Sequence, residues 1–295
     1  SDVYKRQPVD SISNKTPITA NINDSREQIL NIFKTEKIHQ IPIINDNNIV
    51  VGIEIIDEIF SKKKYNNTVI LMVGGIGSRL RPLTEDIPKP MLNIGGKPIL
   101  QTIVEGFHKS GFTKIIMCTG YKSEKIQDYF KDGSKFGVEI EYIVEDSKTG
   151  TVGALTLLKK RPKEVFFVMN GDLLTNVNFK KMLDFHKINE SQATMCVREY
   201  DHTVPFGVVT CDNHKISSID EKPVHSFFVN AGIYLLEPEC IDLIPKNEFF
   251  NMTSLFEKIL SKGGNATAFP LQEYWLDIGR ISEYNKANAE FNQLF

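Results

Sequence analysis

The hydrophobic and polar positions change rhythm near residue 68. Ahead of that point the apolar residues mark a small module. Ile29, Leu30, Ile32 and Phe33 recur at helical spacing and predict a helix over Ser25–Thr35. Gln40-Ile41-Pro42-Ile43-Ile44 reads as a short buried strand, Asn45-Asp46-Asn47-Asn48 as a turn, and Ile49–Ile53 as a second strand. A helix over Ile56–Ser61 is expected next. The polar, basic run that follows has the composition of a linker. These elements divide the chain into a small α+β module over 8–61, a linker over 62–67 and a second domain over 68–295.

From Thr68 onward strands alternate with helices. Val69–Val73 is a continuous apolar run, as a strand buried on both faces requires. Pro98–Lys109 predicts a helix, with Ile99, Ile103 and Phe107 on one stripe, Pro98 in its first turn and Gly111 past its end. Lys114–Thr119 reads as a strand, Lys122–Phe130 as a helix, and Val138, Ile140, Tyr142 and Val144 as the inner positions of another strand. Gly153–Lys160 is expected to be helical and Val165–Met169 a buried strand. Beyond Asp172, a hairpin is predicted where Val208–Cys211 and Lys215–Asp220 flank Asp212-Asn213-His214. Phe227–Leu236, Ala266–Leu271 and Tyr274–Ile278 are strand candidates, and Ile281–Phe291 a closing helix. The order implies an α/β domain with a mixed, mostly parallel sheet, whose ligands belong at the carboxyl ends of the strands. No internal repeat is visible.

Composition narrows the function classes. The 295 residues carry 35 Lys+Arg against 37 Asp+Glu, a net charge of −2. Such a balance gives no sign of nucleic-acid or membrane binding, so phosphate recognition must rest on a few placed cations. The cysteines Cys118, Cys196, Cys211 and Cys240 form no C-x-x-C pair or zinc pattern and are expected to be buried, reduced thiols. No stretch is apolar for long enough to span a membrane, no secretory signal is visible, and a cytoplasmic location is expected. The segment Asp2-Val3-Tyr4-Lys5-Arg6-Gln7 reads like the translation of a transposon-end adapter from DNA library preparation and is set aside as non-native. The natural protein is then expected to extend further upstream; a genuine flexible terminus is the alternative.

The segment richest in chemistry is VGGIGSRLRPLTEDIPKP, Val73–Pro90, directly after a buried strand. Gly74, Gly75 and Gly77 let the backbone approach a ligand and expose amide donors to an anion. Arg79 and Lys89 can place two cations on a triphosphate. Pro82, Pro88 and Pro90 forbid a long helix and hold the loop extended. A dinucleotide fingerprint is excluded because the third glycine position is Leu80. A P-loop is excluded because G-K-[ST] is absent.

The string resembles the G-G-x-G-[ST]-R-L-x-P-L-T-x-x-x-P-K-P motif of the sugar-1-phosphate nucleotidyltransferases, and the resemblance runs from about Thr68 to Phe295. It implies a Rossmann-like (GT-A-like) domain. The glycine loop would bind a nucleoside triphosphate, with Arg79 and Lys89 on its phosphates. Asp172, closing the apolar run Val165–Met169, and Asp277 in Trp275-Leu276-Asp277-Ile278-Gly279 match the family's two magnesium aspartates, so Mg²⁺ is the implied cofactor. Glu221-Lys222-Pro223 resembles the element that holds the sugar 1-phosphate, with Lys222 on the phosphate and Glu221 on hydroxyls. Asn230, in Asn230-Ala231-Gly232-Ile233-Tyr234, and Gly207 match sugar-contacting positions.

Gly150-Thr151-Val152-Gly153-Ala154 resembles the family's G-T-A-G-A, with Val152 where alanine is usual, and Glu145 stands where relatives recognise the base. A carboxylate only accepts hydrogen bonds, while guanine presents adjacent N1–H and N2–H₂ donors, which favours GTP over UTP or dTTP. The implied reaction joins the nucleoside monophosphate to a sugar 1-phosphate and releases pyrophosphate. Its nucleophile is already an anion, so none of the six histidines is given a role.

The helix, I-P-I-I, polar turn, V-V-G-I order of the first module resembles a CBS module, half of the usual pair. Ile55 occupies the place of the nucleotide-binding hydroxyl. Adenine-nucleotide binding and a packing or dimerisation role are both open readings. A CBS-like module ahead of a short nucleotidyltransferase resembles the glucosamine-1-phosphate guanylyltransferases of legionaminic acid synthesis, with mannose, glucose or heptose 1-phosphate as alternative acceptors. A homo-oligomer is expected. A non-catalytic sugar-nucleotide or adenylate-sensing protein is the reading from another class, but it predicts loss of Arg79, Lys89, Asp172 or Asp277, and all four are present.

Overall fold

In a computed structural model, residues 14, 16–55, 64–145 and 149–294 are described. The chain divides into two compact units, with the division between Lys63 and Lys64. The expected helix over Ile56–Ser61 and the adapter-like segment lie outside the described residues.

The first unit is a three-stranded sheet in the order β1 (Ala20–Asn21), β2 (Gln40–Ile44), β3 (Val50–Ile55), with helix α1 (Arg26–Glu36). Ser25 caps α1 through a reciprocal pair: its side chain accepts from the Gln28 amide while Gln28 accepts from the Ser25 amide. Ile29 and Phe33 of α1 bury against Ala20, Ile41 and Ile43. The helix and both strands stand where the periodicity places them.

The second unit begins with β4 (Tyr65–Met72), so its first strand starts inside the segment expected to be a linker. The cause is tertiary. The Tyr65 ring stacks on Phe112 with centroids 4.8 Å apart, and the buried Asn67 side chain donates to the Val165 carbonyl at 2.7 Å. A short hairpin, β5 (Asn93–Ile94) and β6 (Lys97–Pro98), leads into α2 (Ile99–Lys109), β7 (Phe112–Thr119), α3 (Ser123–Phe130) and β8 (Glu139–Val144). Then follow β9 (Phe166–Asn170), β10 (Leu173–Thr175), α4 (Phe179–Ile188), β11 (Ala193–Thr203), the hairpin β12 (Gly207–Asp212) and β13 (Lys215–Glu221), and β14 (Val224–Leu236). Helix α5 (Met252–Ser261), β15 (Ala266–Leu271), β16 (Trp275–Asp277) and α6 (Ile281–Leu294) complete the unit.

Seven strands form the central sheet, ordered β15-β11-β14-β9-β4-β7-β8. The β9-β4-β7-β8 run and the β11–β15 pair are parallel, and β14 is antiparallel to both its neighbours. Strand alternation divides the core between two faces. Val69, Leu71, Phe167 and Met169 pack with the apolar stripes of α2 and α4, while Ile70, Phe166 and Val168 pack with Leu255 and Ile259 of α5. Mixed, mostly parallel α/β architecture is what the sequence predicts.

Two local expectations fail. Gly153–Lys160 is a short 3-10 turn over Gly153–Leu157, closed by the Leu155 amide donating to the Val152 carbonyl at 3.0 Å, while the Val152 amide is taken up by the Phe250 carbonyl at 3.2 Å. Cys211 is exposed, unlike the other three cysteines, since it stands on the β12–β13 hairpin. No helix among the described residues is long and apolar enough to cross a membrane.

Candidate functional site

Four parallel strands end at one cleft of about 530 Å³. The loop after β4 contributes Gly74, Gly75, Lys89 and Pro90, and the turn after β7 Gly120 and Tyr121. Glu145 stands at the end of β8, and Gly171 and Asp172 follow β9. Thr149, Gly150 and Thr151 close one side, with Phe249 beside them. The carboxyl ends of adjacent parallel strands are where a sheet of this type leaves room for a ligand.

Two glycines set the geometry. Gly77 sits at φ +67°, and a Cβ there would stand 2.9 Å from the Lys89 Cβ, so the loop folds back directly onto the lysine. Thr84 fixes this fold by donating to the Gly77 carbonyl at 2.8 Å. Gly171 donates its amide to the Met72 carbonyl at 3.0 Å, and a Cβ on it would stand 2.3 Å from the Val73 Cγ1. That contact brings the turn bearing Asp172 against the start of the glycine loop.

Asp172 and Asp277 are joined by a strand pair. Strand β10, which follows Asp172, runs antiparallel to β16, with Leu173 opposite Asp277, and the Ile278 amide donates to the Asp172 carbonyl at 3.0 Å. Lys89, almost fully buried, makes an ion pair with Asp172, and its Nζ lies 3.8 Å from the Asp277 Oδ1. The Arg79 guanidinium lies over Gly279, within 3.7 Å of where a Cβ would stand. Burial and the neighbouring Asp172 charge push the Asp277 carboxyl above its ordinary range, against the pull of Lys89 and Arg79.

One oxygen of each aspartate, Asp172 Oδ1 and Asp277 Oδ1, is buried without a hydrogen-bond partner. Two such acceptors side by side fit a hard divalent cation, which takes one or two carboxylates together with water and substrate phosphate oxygens. Among the described residues no group of three His, Cys, Asp or Glu could hold a metal.

Glu145 receives its backbone hydrogen bond through its own amide, from which the Thr119 carbonyl accepts at 2.8 Å, and its carboxylate accepts from the Thr149 hydroxyl. Its Oε1 lies against Gly74, 3.1 Å from where a Cβ would stand. Burial pushes its carboxyl above the ordinary range, opposed by the Thr149 bond. The carboxylate thus faces the cleft beside the glycine loop, at the opposite wall from Asp172.

The residues expected at the sugar phosphate are placed differently. Gly207 and Glu221 face each other across the β12–β13 pair, Lys222 follows at φ +47°, and all three are exposed. The Asn230 side-chain Oδ1 accepts from the Gly232 amide at 2.9 Å. None of these four lines the cleft that holds Lys89 and Asp172. Sequence patterning misses Glu283, in the first turn of α6, whose Oε2 is also buried and unpartnered and whose charge acts on Asp277. An acid six positions past Asp277, at the start of a helix, is the signal that could have found it.

Residues 68–293 match the family model described as nucleotidyl transferase, and residues 9–53 match the CBS domain. The chain is 34% identical over 224 residues to the mannose-1-phosphate guanyltransferase of Debaryomyces hansenii, a match covering 73% of this chain and 62% of that protein. It is 33% identical to the Saccharomyces cerevisiae mannose-1-phosphate guanyltransferase with the same coverage. The match thus spans a little under two thirds of the length of these curated relatives. Among solved structures, HddC of Yersinia pseudotuberculosis superposes with a TM-score of 0.60 at 28% identity, covering 76% of this chain and 99% of that one. The same protein in complex with GMP-PN gives 0.59 at 27% identity and the same coverage. A putative glucose-1-phosphate thymidylyltransferase of Bacillus anthracis gives 0.61 at 26% identity, covering 75% and 94%. With its glycine loop, lysine and paired aspartates gathered at the strand ends, the chain belongs to the nucleotidyl transferase family and carries a CBS domain ahead of the nucleotidyl transferase fold.

Proposed function

We propose that this chain transfers a nucleoside monophosphate from a nucleoside triphosphate, GTP in preference, to the phosphate of a sugar 1-phosphate, releasing pyrophosphate. Glucosamine 1-phosphate or a related hexose 1-phosphate is the acceptor; mannose 1-phosphate is the one in the names of the curated relatives. The observation that carries the reading is the position of Lys89, between Asp172 and Asp277 on the floor of the glycine-loop cleft. The guanine preference is supported by the acceptor-only Glu145 at the far wall and by the relatives' names.

In the reaction an oxygen of the sugar phosphate attacks the α-phosphorus. A new P–O bond forms as the bond to the β-phosphate oxygen breaks, and pyrophosphate leaves in line. The nucleophile is an anion, so no proton needs to be removed. The backbone amides of Gly74 and Gly75 and the Lys89 and Arg79 cations hold and neutralise the triphosphate, which is alignment and charge stabilisation rather than covalent catalysis. Mg²⁺, held by Asp172 and Asp277, would supply further neutralisation of the phosphate oxygens. Lys222 and Glu221, at the base of the exposed hairpin outside the cleft, are assigned to the acceptor's phosphate and hydroxyls on their resemblance to the family's sugar-phosphate element. The first unit either binds an adenine nucleotide or serves packing or dimerisation, and calorimetry with AMP and ATP separates the two: heat of binding supports the first and its absence counts against it.

The test is pyrophosphate release over a grid of nucleoside triphosphates and sugar 1-phosphates with Mg²⁺. Release is expected with GTP and at least one hexose 1-phosphate. No release from any pair overturns the reading.

A further inference from the structure

Two aromatic residues line the glycine-loop cleft, Tyr121 and Phe249. Tyr121 is engaged within the protein: its hydroxyl donates to the Glu85 carbonyl at 2.9 Å, and the Lys122 Nζ lies 5.4 Å from its ring centroid. Phe249 is 64% exposed and meets no other ring or cation among the described residues. The adjacent Phe250 is used differently. It packs, partly buried, against the core cluster that contains Leu255 and Ile259 of α5, with the Lys258 Nζ 5.8 Å from its ring centroid.

A single exposed aromatic needs no explanation by itself. The backbone that carries this one is tied to the wall of the cleft. The Phe250 amide donates to the Thr149 carbonyl at 2.9 Å, and the Val152 amide donates to the Phe250 carbonyl at 3.2 Å. The Met252 amide donates to the Thr151 hydroxyl at 2.8 Å, and the Thr151 amide donates to the Asn251 side-chain oxygen at 3.4 Å. Gly150, at φ +87°, lets the two segments approach this closely, since a Cβ on it would stand 2.4 Å from the Phe250 carbonyl oxygen. Thr149 then does two things. Its carbonyl holds the Phe250 amide, and its hydroxyl donates to the Glu145 carboxylate. One hydrogen-bonded chain therefore fixes the backbone beside the Phe249 ring and the carboxylate of Glu145 relative to each other.

We infer that Phe249 stacks on the face of the nucleobase whose edge Glu145 reads, and that the clasp between 149–152 and 250–252 holds ring and carboxylate ready for one planar ligand. The inference rests on the nucleoside triphosphate reading given above. A base offers two kinds of surface. Its edge carries hydrogen-bond donors and acceptors, which a carboxylate can address. Its face is an apolar π-surface, which a carboxylate cannot cover and an unpaired aromatic ring can. Stacking is indifferent to the identity of the base, because every base has such a face. The two residues thus divide the work: Phe249 contributes affinity for any nucleobase, and Glu145 selects among bases. Fixing both through Thr149 removes part of the ordering cost that binding would otherwise carry.

Calorimetric titration of the full chain with GTP and with ITP, in the presence of Mg²⁺, is the test. Phe249→Ala should weaken both nucleotides alike, by about tenfold or more, and leave the GTP/ITP affinity ratio where the wild type has it. Phe249→Tyr, which keeps the ring, should bind close to the wild type. Phe249→Leu, which keeps apolar bulk without a ring, should fall with the alanine variant; it also serves as the ringless variant should Phe249→Ala fail to fold by circular dichroism. Unchanged GTP affinity without the ring overturns the stacking role, as does wild-type affinity in Phe249→Leu or a loss in Phe249→Tyr as large as in Phe249→Ala. A GTP/ITP ratio that collapses in Phe249→Ala also overturns it, because the ring would then act through Glu145 and not on the face of the base. A wild type that binds no GTP fails the functional reading itself, whereas a wild type that binds GTP with an indifferent Phe249→Ala fails this inference alone.

Discussion

Glu145→Gln tests the base pocket. In the structure this carboxylate accepts from Thr149 and turns its remaining acceptor capacity to the cleft beside Gly74. A guanine in that cleft would donate N1–H and N2–H₂ to it. Each hydrogen bond to a charged acceptor contributes about 1.5–3 kcal/mol. Glutamine keeps one acceptor but aims an amino group at the other donor, so the variant should lose on the order of 3 kcal/mol, roughly 100-fold in kcat/KM for GTP. Pyrophosphate release with GTP and with ITP, which lacks the 2-amino group, resolves the contribution. The wild type should favour GTP over ITP by about tenfold or more, and the variant should lose most of that ratio. The reasoning is refuted if the variant turns over GTP within about threefold of the wild type, or if the GTP/ITP ratio does not move.

The same residue sets a pH dependence. Burial raises the Glu145 carboxyl, and guanine recognition needs the ionised form, so KM for GTP should climb as pH falls through that raised value and stay flat above it. Glu145→Gln should abolish the climb in a pH series of KM. Lys89→Ala removes the cation shared by both aspartates and should lower kcat/KM by about 10²-fold or more, as for other charge-stabilising groups; unchanged turnover sinks the site assignment. Gly171→Ala places a Cβ 2.3 Å from Val73, and overpacking of that kind costs about 1–3 kcal/mol, so thermal unfolding should drop by several degrees. Glu283→Gln removes a negative charge that acts on Asp277 and should raise the Mg²⁺ concentration for half-maximal activity severalfold, read from a metal titration at fixed GTP.

Local chemistry made much of the fold legible. The continuous apolar runs at Val69–Val73 and Val165–Met169 became neighbouring strands of the central sheet, and the stripe of Ile99, Ile103 and Phe107 became the buried face of α2. What sequence could not show was the consequence of contacts between distant residues. Tyr65-Asn66-Asn67 has the composition of a linker, yet Phe112 and the Val165 carbonyl hold it in a strand. At the site, the glycine loop and Lys89 were readable because they are contiguous. Glu283 was not, because an acid in the first turn of a surface helix is no different from any other until its unpartnered oxygen and its effect on Asp277 are seen.

The β10–β16 pairing has a consequence for how the site assembles. Asp172 and Asp277 lie some hundred residues apart in sequence and meet only through this three-residue pair of strands. Such a contact is non-local and closes only after a long loop has been ordered. A nascent or partly folded chain can therefore complete the glycine loop and the core of parallel strands while holding one aspartate of the two. On the proposed nucleotidyl-transfer reading, triphosphate affinity should precede metal-dependent turnover during refolding.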